Sequence, residues 1–348
     1  MAINYSGGTQ NQTELEKIQQ ELYAESFTIR ERLVEINEGH KTGADVYESS
    51  VDVTATAATT AGVTATGDID LNANKTPVSL VRFQYQDTID EAVLRGTRFE
   101  RSIARGAFNH VSDEFDKKVL IQVAPAIGED VENMLWNGAN TAQKAAIAAL
   151  TPGAAQGSIS AGAQTLVAAM PTKLVNSFPA TILYNASNAK ATPGAGLGDY
   201  IKVPSIAASI DATNIAAEYA KMYLAAPSKA VNHKSEPAEI YAPLSHRQFI
   251  KVANNTVGAA QQINFLVEGK GDGERIYYNN HKINFVPLEG FMIFAIPSYL
   301  KVLADLTSDA ARLNVGQVAN GALQRYIKNI QEMTTWVVGQ KYVTLYAG

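Results

Sequence analysis

The chain has 348 residues, enough for about two domains or one large elaborated domain. Only 18% of the residues are charged, against roughly 25% in an average soluble protein, which indicates that part of the surface does not face water. The formal net charge of −5 argues against a strongly basic nucleic-acid-binding protein, and the absence of cysteine excludes disulfide scaffolds, zinc–thiolate sites, iron–sulfur clusters and thiol catalysis.

Neither end of the chain predicts a targeting or membrane segment. Residues 1–12 contain no basic region followed by an apolar one, so no signal peptide is predicted. The longest strongly apolar run, Phe291–Ile296, is far shorter than the roughly 20 residues that a membrane-spanning helix needs. We therefore expect a protein without membrane contact.

The N-terminal region, from Asn11 to Asn37, has the spacing of one amphipathic helix. Its apolar stripe consists of Leu15, Ile18, Leu22, Ile29, Leu33 and Ile36. A stripe at this position needs a surface to cover it, either in its own domain or in another subunit. As the hypothesis for a subunit interface we take Leu15, Ile18, Leu22, Leu33 and Ile36.

Residues 46–92 favour a long β-hairpin. Apolar and β-branched residues alternate at Val51 and Val53, at Ile69 and Leu71, and from Val81 to Tyr85, while residues 51–66 are mostly Thr and Ala. Such a hairpin lacks the large side chains needed for a core of its own and would normally lie across a partner. A flexible low-complexity linker is the alternative interpretation.

Two helical patterns follow. Arg95, Arg98, Arg101 and Arg105 share one face of a predicted helix, where they could contact phosphate or RNA, or acidic segments of a neighbouring subunit such as the N-terminal arm. From residue 111 apolar residues recur every four positions, which predicts a long helix of about 25 residues that contains Pro125 and ends at Asn137-Gly138.

The second half predicts alternating strands and short helices. Helices are expected over Asn214–Leu224 and after Pro243, and a hairpin is expected around Asn279-Asn280. Further strands are predicted at Glu239–Ala242, Phe291–Ile296 and Tyr299–Ala304, with a final strand pair formed by Thr334–Val338 and Lys341–Tyr346.

Motifs that carry chemistry are scarce. The five histidines show no metal-ligand spacing, and no nucleotide-binding loop or nucleophile elbow is present, so we predict no catalytic, cofactor or metal site and no enzyme activity. The run Gly269–Gly273 superficially resembles a phosphate loop, but it lacks the Ser or Thr and the following helix, which favours a surface loop.

The order of these segments resembles the major capsid proteins of tailed bacteriophages, with the Hong Kong 97-type fold. The resemblance rests on the end of the long helix at Glu132–Gly138, the strand-to-helix step Ile240–Phe249 and the late run Ala295–Asp309. It extends in order of elements over nearly the whole chain, without one specific motif.

The resemblance implies an α+β fold of four parts. Residues 1–45 would form an N-terminal arm, 46–92 an extended loop, 93–210 with 319–348 a peripheral domain containing the long spine helix, and 211–318 an axial domain. Within the axial domain, Gly269, Gly271 and Gly273 would form the loop at the symmetry axis.

The implied function is self-assembly, through hexamers and pentamers, into an icosahedral shell that encloses double-stranded DNA by non-specific contact. The implied location is the virion, assembled in the host cytoplasm, with scaffolding, portal and decoration proteins as further partners. An arm of about 45 residues leaves little room for a built-in scaffolding segment, so scaffolding would be separate or absent. Two alternatives remain: a nanocompartment shell that encloses cargo enzymes, and an enzyme whose active site is assembled from distant residues.

Overall fold

The computed structural model describes the chain over residues 26–41, 45–53, 69–90, 113–153, 159–191, 200–204, 209–256, 265–269, 274–305, 313–317 and 324–347. The helices are α1 (Phe27–Arg30), α2 (Asp113–Trp136), α3 (Thr141–Ala148), α4 (Ala161–Ala169), α5 (Phe178–Ala191), α6 (Ile215–Ala225), α7 (Ser228–Val231) and α8 (Leu244–Thr256). The strands are β1 (Glu35–Asn37), β2 (Asp45–Val53), β3 (Ile69–Pro77), β4 (Val81–Asp90), β5 (Ile201–Lys202), β6 (Glu239–Pro243), β7 (Phe265–Glu268), β8 (Arg275–Tyr278), β9 (His281–Val286), β10 (Phe291–Ala295), β11 (Leu300–Ala304), β12 (Leu313–Gln317), β13 (Gln324–Val337) and β14 (Thr344–Ala347). The fold is therefore α+β, as predicted.

The described strands form three sheets. A five-stranded sheet has the order β1-β11-β13-β12, with β4 also paired to β13, and a seven-stranded sheet has the order β5-β14-β10-β6-β9-β8-β7. The third sheet contains only β2 and β3. Strand β13 organises the first sheet because its 14 residues pair with three different strands.

Two clusters of buried apolar side chains make up most of the core. The first includes Trp136 of α2 and Phe178 of α5, and the second includes Tyr219 of α6 and Tyr278 of β8. Strand β10 belongs to both, because its alternate residues enter different clusters. It is buried on both faces, which explains why its sequence is continuously apolar.

Several elements agree with the sequence predictions. The long helix α2 has 24 residues, contains Pro125 and ends just before Asn137. Strands β8 and β9 pair antiparallel, and Asn279 and Asn280 between them have φ angles of 46° and 68°. Two consecutive positive φ values are the requirement of a tight hairpin turn that Asn tolerates, so the predicted turn is confirmed.

The N-terminal helical pattern ends earlier than predicted. Within the described residues, α1 ends at Arg30, Arg32 has a φ of +52°, and the chain then enters β1. The helical spacing of Ile29, Leu33 and Ile36 was therefore misleading beyond Arg30. Strand β1 pairs in parallel with β11, and this tertiary pairing overrides the local helical pattern.

The predicted hairpin is only partly correct. Strands β2 and β3 pair antiparallel from Asp45 opposite Pro77 to Val53 opposite Ile69. The third alternating segment, Val81–Tyr85, belongs instead to β4, which pairs with β13. Residues 54–68 and the Arg95–Arg105 segment lie outside the described residues.

The last two strands exist but do not pair with each other. Strand β13 lies in the five-stranded sheet and β14 lies between β5 and β10 in the seven-stranded sheet. Gly339, at a φ of +58°, and the 3-10 turn Gln340–Tyr342 redirect the chain between them. Helix α5 and the first ten residues of β13 are not predicted from the sequence.

Candidate functional site

The structure describes only some of the residues that were predicted to form sites. Leu33 is 2% exposed and belongs to the first core cluster of its own chain. The prediction that a neighbouring subunit buries Leu33 is therefore wrong, because its own core already covers it. Ile36 is half-buried and packs against the same cluster. Outside the described residues lie Leu15, Ile18, Leu22, Arg95, Arg98, Arg101, Arg105, Gly271 and Gly273.

Gly269 lies directly after β7, exposed and with a φ of +86°. Strands β7 and β8 pair from Phe265 opposite Tyr278 to Glu268 opposite Arg275, so Gly269 begins the connection of a hairpin. A left-handed φ is strained for residues with a Cβ, which accounts for glycine at this position. The hairpin itself follows from these observations, and its place relative to a symmetry axis stays a prediction.

Glu132 of the long helix binds the segment that contains α1. The Ser26 hydroxyl donates to Oε2 at 2.6 Å, and the Thr28 backbone N–H donates to the same oxygen at 3.0 Å. The Thr28 hydroxyl donates to Oε1 at 2.5 Å. Both carboxylate oxygens thus accept hydrogen bonds at a site where Glu132 is only 8% exposed.

Trp136, one turn further along α2, extends this network. Its indole Nε1–H donates to the Thr28 hydroxyl oxygen at 2.5 Å, which leaves that hydroxyl to donate to Glu132. The Trp136 ring stacks on Tyr241 with centroids 5.1 Å apart, and the Tyr241 hydroxyl donates to the Leu33 carbonyl at 2.6 Å. The segment is held at Ser26, Thr28 and Leu33.

We call the network of Ser26, Thr28, Glu132, Trp136 and Tyr241 the anchor. It joins the segment that contains α1 to the long helix α2, and its hydrogen-bond partners lie more than 100 residues apart in sequence. Hydrogen bonds to a buried charged group are stronger than those between neutral groups, and loss of one partner leaves the others unsatisfied. The anchor therefore holds the N-terminal segment on the core through buried polar contacts.

The sequence predicts Glu132–Gly138 only as the end of a helix. The missed signal is a carboxylate on the apolar side of that helix, one turn before a Trp. Its hydroxyl partners, Ser26 and Thr28, carry no pattern that sequence spacing could relate to Glu132.

A second polar group lies on the same helix at Asp130. Lys173 forms an ion pair with it, and the Tyr85 hydroxyl of β4 donates to its Oδ2 at 2.6 Å. Burial, with the carboxylate of Asp130 beside it, raises the pKa of Tyr85 well above its ordinary value. This group links the first sheet to the long helix at a half-buried position.

The second core cluster contains a buried histidine. His246 of α8 is 4% exposed, and its Nδ1 lies 3.2 Å from the hydroxyl of Tyr219. Burial lowers the pKa of His246 to about 4, so the ring is neutral near pH 7. A neutral imidazole needs no counterion, which suits its place against aromatic rings.

Nothing in the described part of the chain assembles a catalytic constellation. No group of three His, Asp or Glu side chains that could hold a metal ion is present there. None of the helices in that part is long and apolar enough to cross a membrane.

The chain was compared with known proteins. No family model matches it, and no curated protein is similar to it in sequence. A chain from the capsid of Myoviridae phage XM1 aligns with 99% of this chain and 100% of its own, at 10% identity and a TM-score of 0.53. A chain from the procapsid of satellite phage P4 covers 97% and 98% at 8% identity and a TM-score of 0.47. One from the capsid of an empty GTA particle covers 91% and 96% at 10% identity and a TM-score of 0.48.

The XM1 alignment includes practically every residue of both chains. At 10% identity it shows a common fold. This chain therefore has the fold of a phage capsid protein, the α+β major-capsid fold that its order of segments resembles.

Proposed function

We propose that this chain is a major capsid protein that assembles into an icosahedral shell around double-stranded DNA. The observation that carries the proposal is the end-to-end structural alignment with the XM1 capsid chain. A shared fold alone does not define a function, but here the alignment extends over 99% of this chain and 100% of the capsid chain. The low charge content is consistent with a subunit whose surface is largely covered by others.

We propose the same four-part division as the sequence analysis. Nearly all the second core cluster lies between Ile215 and Ile296, which supports an axial unit at 211–318. The first cluster contains the long helix α2 and the returning strand β13, which supports a peripheral unit built from 93–210 and 319–348. Neither cluster follows the proposed boundaries strictly. Val203 and Tyr346 join the second cluster from outside the axial range, and Phe291, Ile293 and Val302 join the first cluster from within it, so the two proposed units share core packing.

We further propose that the part of the arm that contacts a neighbouring subunit lies within residues 1–25. The anchor holds the chain from Ser26 onwards, so an arm that reaches a neighbour would leave the core at this point. Leu15, Ile18 and Leu22 remain our candidates for contact with another subunit. The arginine face (Arg95, Arg98, Arg101, Arg105) remains a candidate for binding acidic segments of a neighbour.

The other partners follow from the proposed shell. Hexamers and pentamers of this chain would form its faces and corners, and packaged DNA would contact it without sequence specificity. Scaffolding, portal and decoration proteins are proposed partners on the same basis. The proposed activity is structural, with assembly in the host cytoplasm and a final location in the virion.

Electron microscopy of the expressed protein tests the proposal. We expect closed icosahedral shells, and extraction of purified particles should yield DNA. Shells that hold cargo protein without nucleic acid would support the nanocompartment alternative. A chain that stays monomeric at every concentration and salt level, with or without the other proteins of its assembly, would contradict the proposal.

A pair of truncations separates the arm from the anchor. Deletion of residues 1–25 retains Ser26 and should leave a folded subunit that no longer forms uniform shells. Deletion of residues 1–34 also removes Ser26 and Thr28, the hydrogen-bond donors to Glu132, and should lower the thermal unfolding temperature. Normal shells from the shorter deletion would show that the arm is dispensable.

A further inference from the structure

Two lysines, Lys229 and Lys234, line an open depression of about 490 Å³ on the described surface, and a third, Lys341, lies over the ring of its Tyr342. The depression is lined by Ser228, Lys229, Asn232, His233, Lys234, Ile296, Tyr299 and Tyr342. The ammonium groups of Lys229 and Lys341 lie 5.8 and 5.4 Å from the centroid of the Tyr342 ring. These cation–π contacts hold positive charge at the depression, whose lining includes no carboxylate. We call it the basic depression.

A second depression, of about 570 Å³, has the opposite charge. Its lining consists of Arg32, Val34, Glu35, Ile36, Glu38, Glu236, Pro297 and Ser298. Glu35 forms an ion pair with Lys301 at 3.0 Å while its side chain stays 40% exposed. Glu236 accepts hydrogen bonds from the backbone N–H and hydroxyl of Ser298, which fixes its carboxylate. We call this the acidic depression.

The two depressions are adjacent because the same two segments line both. In the segment 233–236, His233 and Lys234 line the basic depression and Glu236 lines the acidic one. In the segment 296–299, Ile296 and Tyr299 line the basic depression, while Pro297 and Ser298 line the acidic one. These segments therefore form a common wall between surfaces of opposite charge.

We propose that this surface is a two-fold contact between two copies of the chain. In such a contact both copies use the same surface patch. If a first residue of one copy contacts a second residue of its partner, then the second residue of that copy also contacts the first residue of the partner. Rotation about an axis at the common wall brings the basic depression of one copy onto the acidic depression of the other, twice. Both charged surfaces are neutralised together.

The alternative partner for three lysines is a nucleic-acid phosphate backbone. The arrangement disfavours it, since a duplex wide enough to cover the basic depression would also approach Glu35, Glu38 and Glu236 across the wall. A second copy satisfies both depressions, and the DNA duplex satisfies only one. This contact would be one of the contacts between subunits in the proposed shell. It depends on the proposed function only in that a shell contains many copies of the chain.

Charge exchange tests the pairing. Variant one is Lys229→Glu with Lys234→Glu, and variant two is Glu35→Lys with Glu38→Lys. Each variant alone places like charges in both halves of the contact, so shells should be lost. Mixed in equal amounts, the variants should form shells in which every such contact joins one copy of each. Glu38→Lys alone serves as variant two if the double change impairs folding.

A control shows whether rescue is specific. Lys282→Glu makes the same kind of charge change at a lysine outside both depressions. It should not require variant two for assembly, and mixing should not alter its behaviour. If variants one and two assemble alone as well as the unchanged chain does, the proposal is wrong. If variant one forms normal shells that hold less DNA, the basic depression binds phosphate and the proposal is likewise overturned.

A single cysteine tests the symmetry, and the chain's lack of natural cysteine makes the result easy to interpret. In a two-fold contact Pro297 of one copy lies near Pro297 of the other, so Pro297→Cys should form a disulfide dimer under mild oxidation. Ala145→Cys, at an exposed position outside both depressions, should not. Absence of the Pro297→Cys dimer in intact shells would overturn the proposal while leaving the shell function standing. A dimer in a chain that forms no shells would support the contact and contradict the shell function.

Discussion

Glu132 and His246 are both buried ionisable groups, but the two core clusters accommodate them differently. Glu132 accepts three hydrogen bonds, all from Ser26 and Thr28 in the N-terminal segment. His246 has the Tyr219 hydroxyl as its polar neighbour and otherwise lies against rings such as Phe249. The first site supplies donors for a charge, whereas the second favours the neutral form of its group.

The difference shows what each site controls. The partners of Glu132 come from a segment more than 100 residues away, so its hydrogen bonds determine where that segment lies. The partner of His246 belongs to the same core cluster, so the histidine mainly makes that cluster sensitive to acid. A buried charge with distant partners positions a chain segment, and a buried neutral base makes the stability of its surroundings depend on pH.

The largest effect is expected for Glu132→Ala. The change leaves two hydroxyl groups and a backbone N–H without their buried acceptor, and should lower the free energy of unfolding by about 3–5 kcal/mol. Urea unfolding of the unassembled subunit measures it. Glu129→Ala, at an exposed position on the same helix, is the control and should change little. Equal midpoints for the two variants would mean that the anchor contributes no stability.

Acid should weaken the second cluster through His246. Its pKa is about 4 in the folded chain against an ordinary 6.5, so between these values the unfolded chain binds a proton that the folded chain does not. The contribution to stability is complete above pH 6.5 and is lost as the pH falls to about 4, by at most about 3 kcal/mol. Unfolding curves across this range should be flatter for His246→Gln than for a His40→Gln control. If the free energy of unfolding changes with pH equally in the two variants, His246 is not the source of the acid sensitivity.

Sequence reasoning located most regular elements correctly because local signals determine them. The four-residue recurrence fixes α2, and Asn279-Asn280 fixes a tight turn. These features depend on neighbours in sequence and are therefore visible without a structure.

What the sequence could not indicate depends on distant partners. The pairing of β1 with β11 ends a helical pattern, and β14 pairs with β10 instead of the adjacent β13. The anchor joins Thr28 to Glu132 across 104 residues. Each outcome depends on the tertiary packing of segments that have no local signal for one another, so spacing alone could not predict it.

A smaller effect is expected for Thr28→Val, which keeps the shape of the side chain and removes its hydroxyl. That hydroxyl accepts from Trp136 and donates to Glu132, so its loss should lower the free energy of unfolding by about 2 kcal/mol. Thr28→Ser retains the hydroxyl and should cost clearly less. If the two variants unfold at the same urea concentration, the loss reflects packing and not the hydrogen bonds.

The smallest effect is expected at Asp130, the carboxylate of α2 that pairs with Lys173. Asp130 and Lys173 are 31% and 28% exposed, so water and salt screen their attraction, unlike the interactions of Glu132. A double-mutant cycle with Asp130→Asn and Lys173→Met should give a coupling of about 0–1 kcal/mol, which decreases as salt is raised. The Arg30–Glu31 pair, with both side chains about half exposed, provides a reference that should couple still less. A coupling free energy at Asp130 as large as the effect of Glu132→Ala would contradict this prediction. The half-exposed ion pair would then stabilise the fold as strongly as the buried anchor, and the difference in burial would not explain the difference in stability.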